Sequence, residues 1–340
     1  MLHMPNSGSC TCHSGSMLPQ WQCKSGSVAV VRRSIAIASC SCGNPAMAMM
    51  PSSGSLGGTM SSRRINTTRP TALAYRNRQA AVVVKAGVLA PGDLVLVAGA
   101  TGGVGQLVTA KLLERGYKVR GLTRSRNADA LKDYGPNCEV VAADLRKADS
   151  VAPLLEGVAA VVSATGTTAF PSSRWEGGNG PRPTDLEASS NLIKAAQAQG
   201  KVKRFVLVTS AGVMRPTTFP YTILNTFGVL RFKRMSEQLL EGSGMPYTIF
   251  RPGRLTDGPY TSFDLNTLLQ ATAGSRQDVT LALSDSLSGE ASRIATAEAV
   301  VQALQSSAAE GRAFALASRE GEGPGQDHQR WEQLFTSAQP

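Results

Sequence analysis

The sequence predicts an α/β protein: a doubly wound parallel sheet with a small C-terminal lobe. Three observations predict it. Short apolar runs alternate with amphipathic segments from Leu94 to Glu241. One of those runs feeds directly into the glycine turn Gly99-Ala-Thr-Gly-Gly-Val-Gly105 and then a helical pattern. After a leader that ends near Ala86, about 250 residues remain, enough for one α/β domain with a full core.

The elements follow in order. Strands are expected over 94–98, 118–123, 139–142, 159–164, 204–209 and 247–251. The first, fourth and fifth are nearly continuous apolar runs, as expected for strands buried on both faces. Helices are expected over 104–115, 128–132, 151–155, 186–199 and 230–241. This alternation of strand and helix specifies a parallel sheet. Beyond Gly258 the pattern loosens: 263–272 and 295–305 read as helices, 279–283 and 314–317 as extended, 328–337 as a last helix. These segments are expected to build the small lobe, with Gly321-Glu-Gly-Pro-Gly325 as a flexible connection. There is no internal repeat.

Residues 1–86 are a separate region. Nine of the 35 Lys and Arg residues precede Asp93, and none of the 24 Asp and Glu residues does. The net charge of +11 therefore comes mostly from this leader, so it is poor support for nucleic-acid binding by the folded part. A leader without acids, rich in Ser, Ala, Met and Arg, reads as a disordered transit peptide, and its length favours a plastid. Val82-Val-Val-Lys-Ala86 suits a stromal processing site. A permanently attached N-terminal arm is the alternative. Of the six cysteines only Cys138 lies in 87–340, so an intrachain disulfide is not expected there. The leader's Cys-x-Cys pairs lack zinc spacing, and no metal site is expected. No stretch reaches the ~20 apolar residues that span a bilayer.

The glycine turn carries the first chemistry. Gly99 lets the chain turn sharply out of the strand, Gly102 lets the backbone approach a phosphate, and Gly105 lets the helix pack close to the sheet. Thr101, Gly103 and Val104 complete the turn, and the first-turn N–H groups face the anion. The GxxGxxG spacing is looser than GxGxxG, but its place between strand and helix points to a dinucleotide. An ATP-type loop is disfavoured, because Gln106 follows where Lys-Ser/Thr is required.

Other strand ends add to this. The second strand ends in Arg124, with Arg126 close behind and no acid present. An acid there would bind the ribose hydroxyls of NAD; a guanidinium pairs with a 2′-phosphate, so NADP(H) is favoured. A solvated surface arginine is the alternative. Asp144 can accept from the adenine amino group while Leu145 packs on the ring, or Asp144 can cap the next turn. Small residues Ala164, Thr165 and Gly166 leave room for ribose and phosphate. Ser210 ends the fifth strand and faces the crevice, unless it is only a turn hydroxyl.

Together, the glycine turn, Asp144-Leu145, Ser210 and Arg251-Pro-Gly253 resemble the atypical short-chain dehydrogenase/reductase superfamily, in its NmrA-like and plant plastid branch. The resemblance spans Gly92 to Gln305 and extends to segments 165–172 and 250–262. It implies a Rossmann fold. It also implies a Tyr-x-x-x-Lys pair on the helix after strand five, in which tyrosine is the general acid and lysine holds the nicotinamide ribose. Lys233 fits the lysine, but Val229 stands where the tyrosine belongs. Tyr260 could supply an acid from another direction, or could simply pack on the lobe. Pro252 and Gly253 are expected to close over the nicotinamide. Arg254 then faces an anionic substrate or pairs with Asp257. Met235 and Trp175 are assigned to packing.

Two functions follow. One is an NADP(H)-dependent reductase of a small molecule in the chloroplast stroma, with Ser210, Lys233 and Tyr260 as its catalytic candidates. The other is an NADP(H)-binding regulatory or assembly factor with a plastid protein partner, since the superfamily includes proteins of plastid import and photosystem assembly.

Overall fold

The computed structural model describes residues 87, 89–124, 131, 134–257 and 277–340. The leader, Arg126, most of the expected helix 128–132, Tyr260 and the expected helix 263–272 lie outside the described residues.

Six parallel strands form the first part of the sheet: β1 (Leu94–Ala98), β2 (Lys118–Thr123), β3 (Cys138–Ala142), β4 (Val158–Ser163), β5 (Arg204–Val208) and β6 (Tyr247–Pro252). The helices that cross between them are α1 (Gly103–Glu114), α2 (Ser189–Gln199), the four-residue α3 (Tyr221–Leu224) and α4 (Val229–Glu241). After β6 come β7 (Arg254–Thr256), β8 (Gln277–Ala282), β9 (Glu290–Ser292), α5 (Arg293–Ala303), β10 (Arg312–Glu320) and α6 (His328–Ser337). The main sheet runs β3-β2-β1-β4-β5-β6-β10-β8, with β8 alone antiparallel. Strand order reverses between β1 and β4. That is the switch point outside which an open α/β sheet binds its ligands.

The period of two along each strand divides the core between the faces of the sheet. Val95 and Val97 of β1, with Val206 and Val208 of β5, join the cluster that α1, α5 and α6 cover. Leu96 and Ala98, with Phe205 and Leu207, join the cluster covered by α2 and α4. A strand buried on both sides must be apolar at every position, which is why these runs read as continuous.

The expected elements after residue 258 form where described, but they mostly extend the main sheet. Strands β8 and β10 prolong it, and α5 packs on α1, where Glu298 binds Lys111 (2.9 Å) and Arg115. Outside it the described residues leave the two-stranded β7–β9 ribbon. Buried helix α5 has little amphipathic signal, since Ala, Val and Ile surround it, so its depth was not legible. Segment 152–155 is a 3-10 turn, and the second crossover opens with a π-helical turn, Arg182–Ala188, ahead of α2.

Candidate functional site

At the switch point the glycine turn does what its spacing predicts of the backbone. Gly99 adopts φ +81°, and a Cβ on it would lie 2.9 Å from the Ala164 carbonyl oxygen at the end of β4. A Cβ on Gly105 would overlap the Gly99 carbonyl, so the helix seats against the turn only as glycine. Gly102 is different: its nearest neighbour for an added Cβ is the Gly99 oxygen at 3.2 Å, and it is exposed. It is the N-cap of α1, with no side-chain cap and no acid in the first turn. The first-turn N–H groups of a helix have no intrahelical acceptor, so this end fits a pyrophosphate. Thr101 and Gly103 are half-buried beside it, and Val104 anchors the turn in the core.

Around the turn, Arg124 is exposed at the end of β2. Asp144 is bound by Arg146, with Nε to Oδ1 and Nη2 to Oδ2 both at 2.8 Å. This guanidinium holds the Asp144 carboxyl below its ordinary range. Arg146 also donates to the Gly177 and Gly178 carbonyls, tying the third strand's end to the loop that follows Trp175. Leu145 is buried in the core beneath β1 and β4. Ala164 and Thr165 are half-buried and Gly166 is exposed, with Ser163 Oγ and Thr165 Oγ1 3.4 Å apart.

The second part of the site is a floor of charged side chains. Lys233 Nζ donates to Asp185 Oδ1 at 2.7 Å. A Cβ on Gly166 would come within 3.0 Å of that ammonium, so Lys233 lies directly beside the end of β4. Asp185 is fully buried in the π-helical turn, and Ser236 Oγ donates to its carbonyl at 2.6 Å. Burial pushes this carboxyl above the usual range, against the opposing pull of the Lys233 ammonium. Asp185 was not singled out in the sequence. The available signal was an acid just ahead of the expected helix 186–199; the π turn that the structure adds there recurs at functional sites.

One turn on, Glu237 is fully buried and accepts from Thr209 Oγ1 (2.6 Å), Arg251 Nε (3.1 Å) and Nη2 (2.8 Å), and Arg234 Nη1 (2.9 Å). This knot joins β5, β6 and α4. Val229, in the position of the expected tyrosine, is buried with Val213, Tyr221 and Leu230. Ser210 is half-buried, and its hydroxyl donates to the Ala211 carbonyl at 3.0 Å. The turn after it is gripped by Asp285, which accepts from Gly212 N and Met214 N, each at 2.9 Å. Asp285 too was missed, lying far along the chain in a loop without a motif.

Several expectations need correction. Arg254 does not pair with Asp257: it is 83 % exposed, with Glu290 at 3.5 Å. Asp257 instead accepts from Arg293 N, Ile294 N and Ser292 Oγ at the start of α5. At the Pro252–Gly253 turn packing alone already requires glycine, since a Cβ on Gly253 would overlap the Gly289 carbonyl. Met235 is 40 % exposed and so is not a packing residue. Trp175 does pack, edge-on to Phe227 at 5.3 Å.

The family model for NAD(P)H-binding proteins matches residues 99–307. The chain belongs to this NAD(P)H-binding family. An uncharacterised chloroplast protein of Arabidopsis thaliana is 32 % identical over 281 residues, 78 % of this chain and 82 % of that one. Sanguinarine reductase of Eschscholzia californica is 31 % identical over 280 residues, 71 % of this chain and 94 % of that one. The chloroplast protein TIC 62 of Oryza sativa is 36 % identical over 216 residues, covering 58 % of this chain but 42 % of the relative. The chain thus spans less than half the length of TIC 62. Among solved structures, a Bacillus halodurans protein described as a putative NAD-dependent epimerase/dehydratase superposes with TM-score 0.57 at 24 % identity. It covers 72 % of this chain and all of that one, and supports the Rossmann fold alone. The relatives thus include one named as a reductase.

Proposed function

We propose that this chain is an NADP(H)-dependent reductase of a small molecule in the plastid stroma, made with residues 1–86 as a transit peptide. The observation that carries the reading is Lys233, held by buried Asp185 beside Gly166 at the end of β4. A floor this expensive to bury is unneeded for a sheet that only has to pack. Gly99, Thr101, Gly102, Gly103, Val104 and Gly105 hold the pyrophosphate, with Ala164, Thr165 and Gly166 opposite. Arg124 takes the 2′-phosphate, and Asp144 and Leu145 border the adenine. Lys233 binds the nicotinamide ribose, with Pro252 and Gly253 nearby. NADPH, when bound, supplies hydride. Val229 offers no proton, so the acid is Lys233 or Tyr260, with Ser210 orienting the substrate. The chloroplast relatives support plastid location, and the reductase relative supports turnover.

A second reading, an NADP(H)-binding assembly factor without turnover and with a plastid protein partner, is favoured by one observation. The tyrosine position is filled by a valine buried in an apolar cluster. Titration calorimetry with NADPH and NADH, followed by turnover assays on a carbonyl panel, decides between them. NADPH should bind roughly ten- to a hundredfold more tightly than NADH, with the difference lost in Arg124→Ala, since a charge-assisted fork contributes about 1.5–3 kcal/mol. Lys233→Ala should weaken NADPH binding and abolish turnover. NADPH that binds tightly yet is oxidised by no substrate supports the second reading, and failure to bind either nucleotide overturns both.

A further inference from the structure

The large apolar side chains that are exposed among the described residues fall in one region. They are Phe170 and six residues between 214 and 235, led by Phe219 at 77 %, Ile223 at 51 % and Met214 at 50 %. Exposure this high belongs to a projecting turn, not to the wall of a groove. Contiguous exposed apolar surface of this kind marks an interaction site. The charge of the 214–235 stretch is one-sided: no Asp or Glu occurs between Glu187 and Glu237, while the Phe170 segment carries one exposed acid, Glu176. Arg174 and Arg231 are exposed on the same two segments, while Arg215 stacks 5.1 Å over the Tyr221 ring. Beneath the tip, Tyr221, Val213, Val229 and Leu230 form a packed base, and Phe227 is wedged between Phe170 and Trp175. The tip is therefore presented on a rigid support.

We propose that this tip docks on an anionic lipid bilayer. Projecting Phe, Ile and Met side chains on a stretch that carries arginine and no carboxylate combine the two forces that hold a peripheral protein at an interface. These are apolar burial at the headgroup boundary and attraction to anionic lipid. A protein partner would need pockets matched to side chains that come from separate turns, whereas a bilayer needs only their insertion. The surface lies on the segment after β4, the β5–α4 connection and α4, outside the nucleotide turn, so it works whether or not the chain turns over substrate.

The test uses the full chain and vesicles of phosphatidylcholine with or without phosphatidylglycerol. The basic leader adds the same attraction to every variant, so differences between variants report the tip. Phe219→Ser combined with Ile223→Ser should weaken partition to anionic vesicles by about tenfold or more, since each side chain loses its apolar transfer. Arg174→Gln and Arg231→Gln should each cost roughly fivefold on anionic vesicles only. In Phe219→Trp the added indole should be quenched by brominated phosphatidylcholine beyond the wild-type level. NADPH affinity should stay unchanged in all of these variants, which shows the fold intact. Equal partition of wild type and the double serine variant, with no added quenching, would overturn the proposal. A dimer on gel filtration that the serine variant dissolves, without vesicle binding, would assign the surface to a second copy instead.

Discussion

The two halves of the crevice are built by different means. The pyrophosphate end is backbone: a left-handed turn at Gly99, an uncapped helix start at Gly102 and a close helix seat at Gly105. The other end is side chain: Lys233 on Asp185, and Glu237 under Thr209, Arg234 and Arg251. The backbone end needs a residue type at each position and tolerates little else. The side-chain end needs charges to balance across β5, β6, α4 and the second crossover. The first can be read from seven consecutive letters; the second exists only once the chain has folded.

That difference can be tested by substitution, beginning with the largest effect. Glu237→Gln should leave the almost fully buried Arg251 guanidinium without its carboxylate, while Arg234 keeps Glu241. Breaking a buried pair of this kind costs about 3–5 kcal/mol. Urea denaturation should show that loss, and a variant within about 1 kcal/mol of wild type would show the knot to be dispensable.

Next come the glycines. Gly105→Ala should destabilise by about 1–3 kcal/mol through overpacking and should also remove nucleotide binding. Gly102→Ala should lower the melting temperature less than Gly105→Ala, since its added methyl meets the Gly99 oxygen at 3.2 Å without overlapping it, while weakening NADPH binding sharply. If both variants lost stability equally, the distinction between a packing glycine and a phosphate-facing one would fail.

The smallest effect belongs to the rim. Asp144→Asn should cost less than about 1 kcal/mol, as its pair with Arg146 is nearly a third exposed. Arg146 lowers the folded pKa of Asp144. The stabilisation is therefore present above the unfolded carboxylate pKa of about 3.9 and is lost as pH falls through the lower folded value. Melting curves of wild type and variant should converge below about pH 4. A gap that persisted at lower pH would mean that Asp144 acts by something other than its charge.

How much of this was legible follows the same division. The sheet was readable because β1, β4 and β5 are buried on both faces and so are apolar throughout. The glycine turn, Lys233 and Val229 were readable because their meaning depends on neighbours within four residues or fewer. Asp185, Asp285 and the role of Glu237 were not, because their partners are supplied by other elements. The alternative that paired Arg254 with Asp257 failed for the same reason: Asp257 is near it in sequence, but its carboxylate accepts from the start of α5. The extension of the sheet by β10 and β8 escaped notice because a short run such as Phe314–Leu316 is too brief to declare which neighbour it pairs with.

The glycine turn has a bearing on descent. Gly99 and Gly105 are fixed by contact with the chain's own backbone, at Ala164 and at Gly99 itself. A lineage that stopped using a dinucleotide would still have to keep both, or lose the fold. Gly102 has no such obligation, so it is free to drift once the ligand is gone. Among descendants of one ancestor, persistence of the outer two glycines records inheritance of a shape, and only the middle one records continued use.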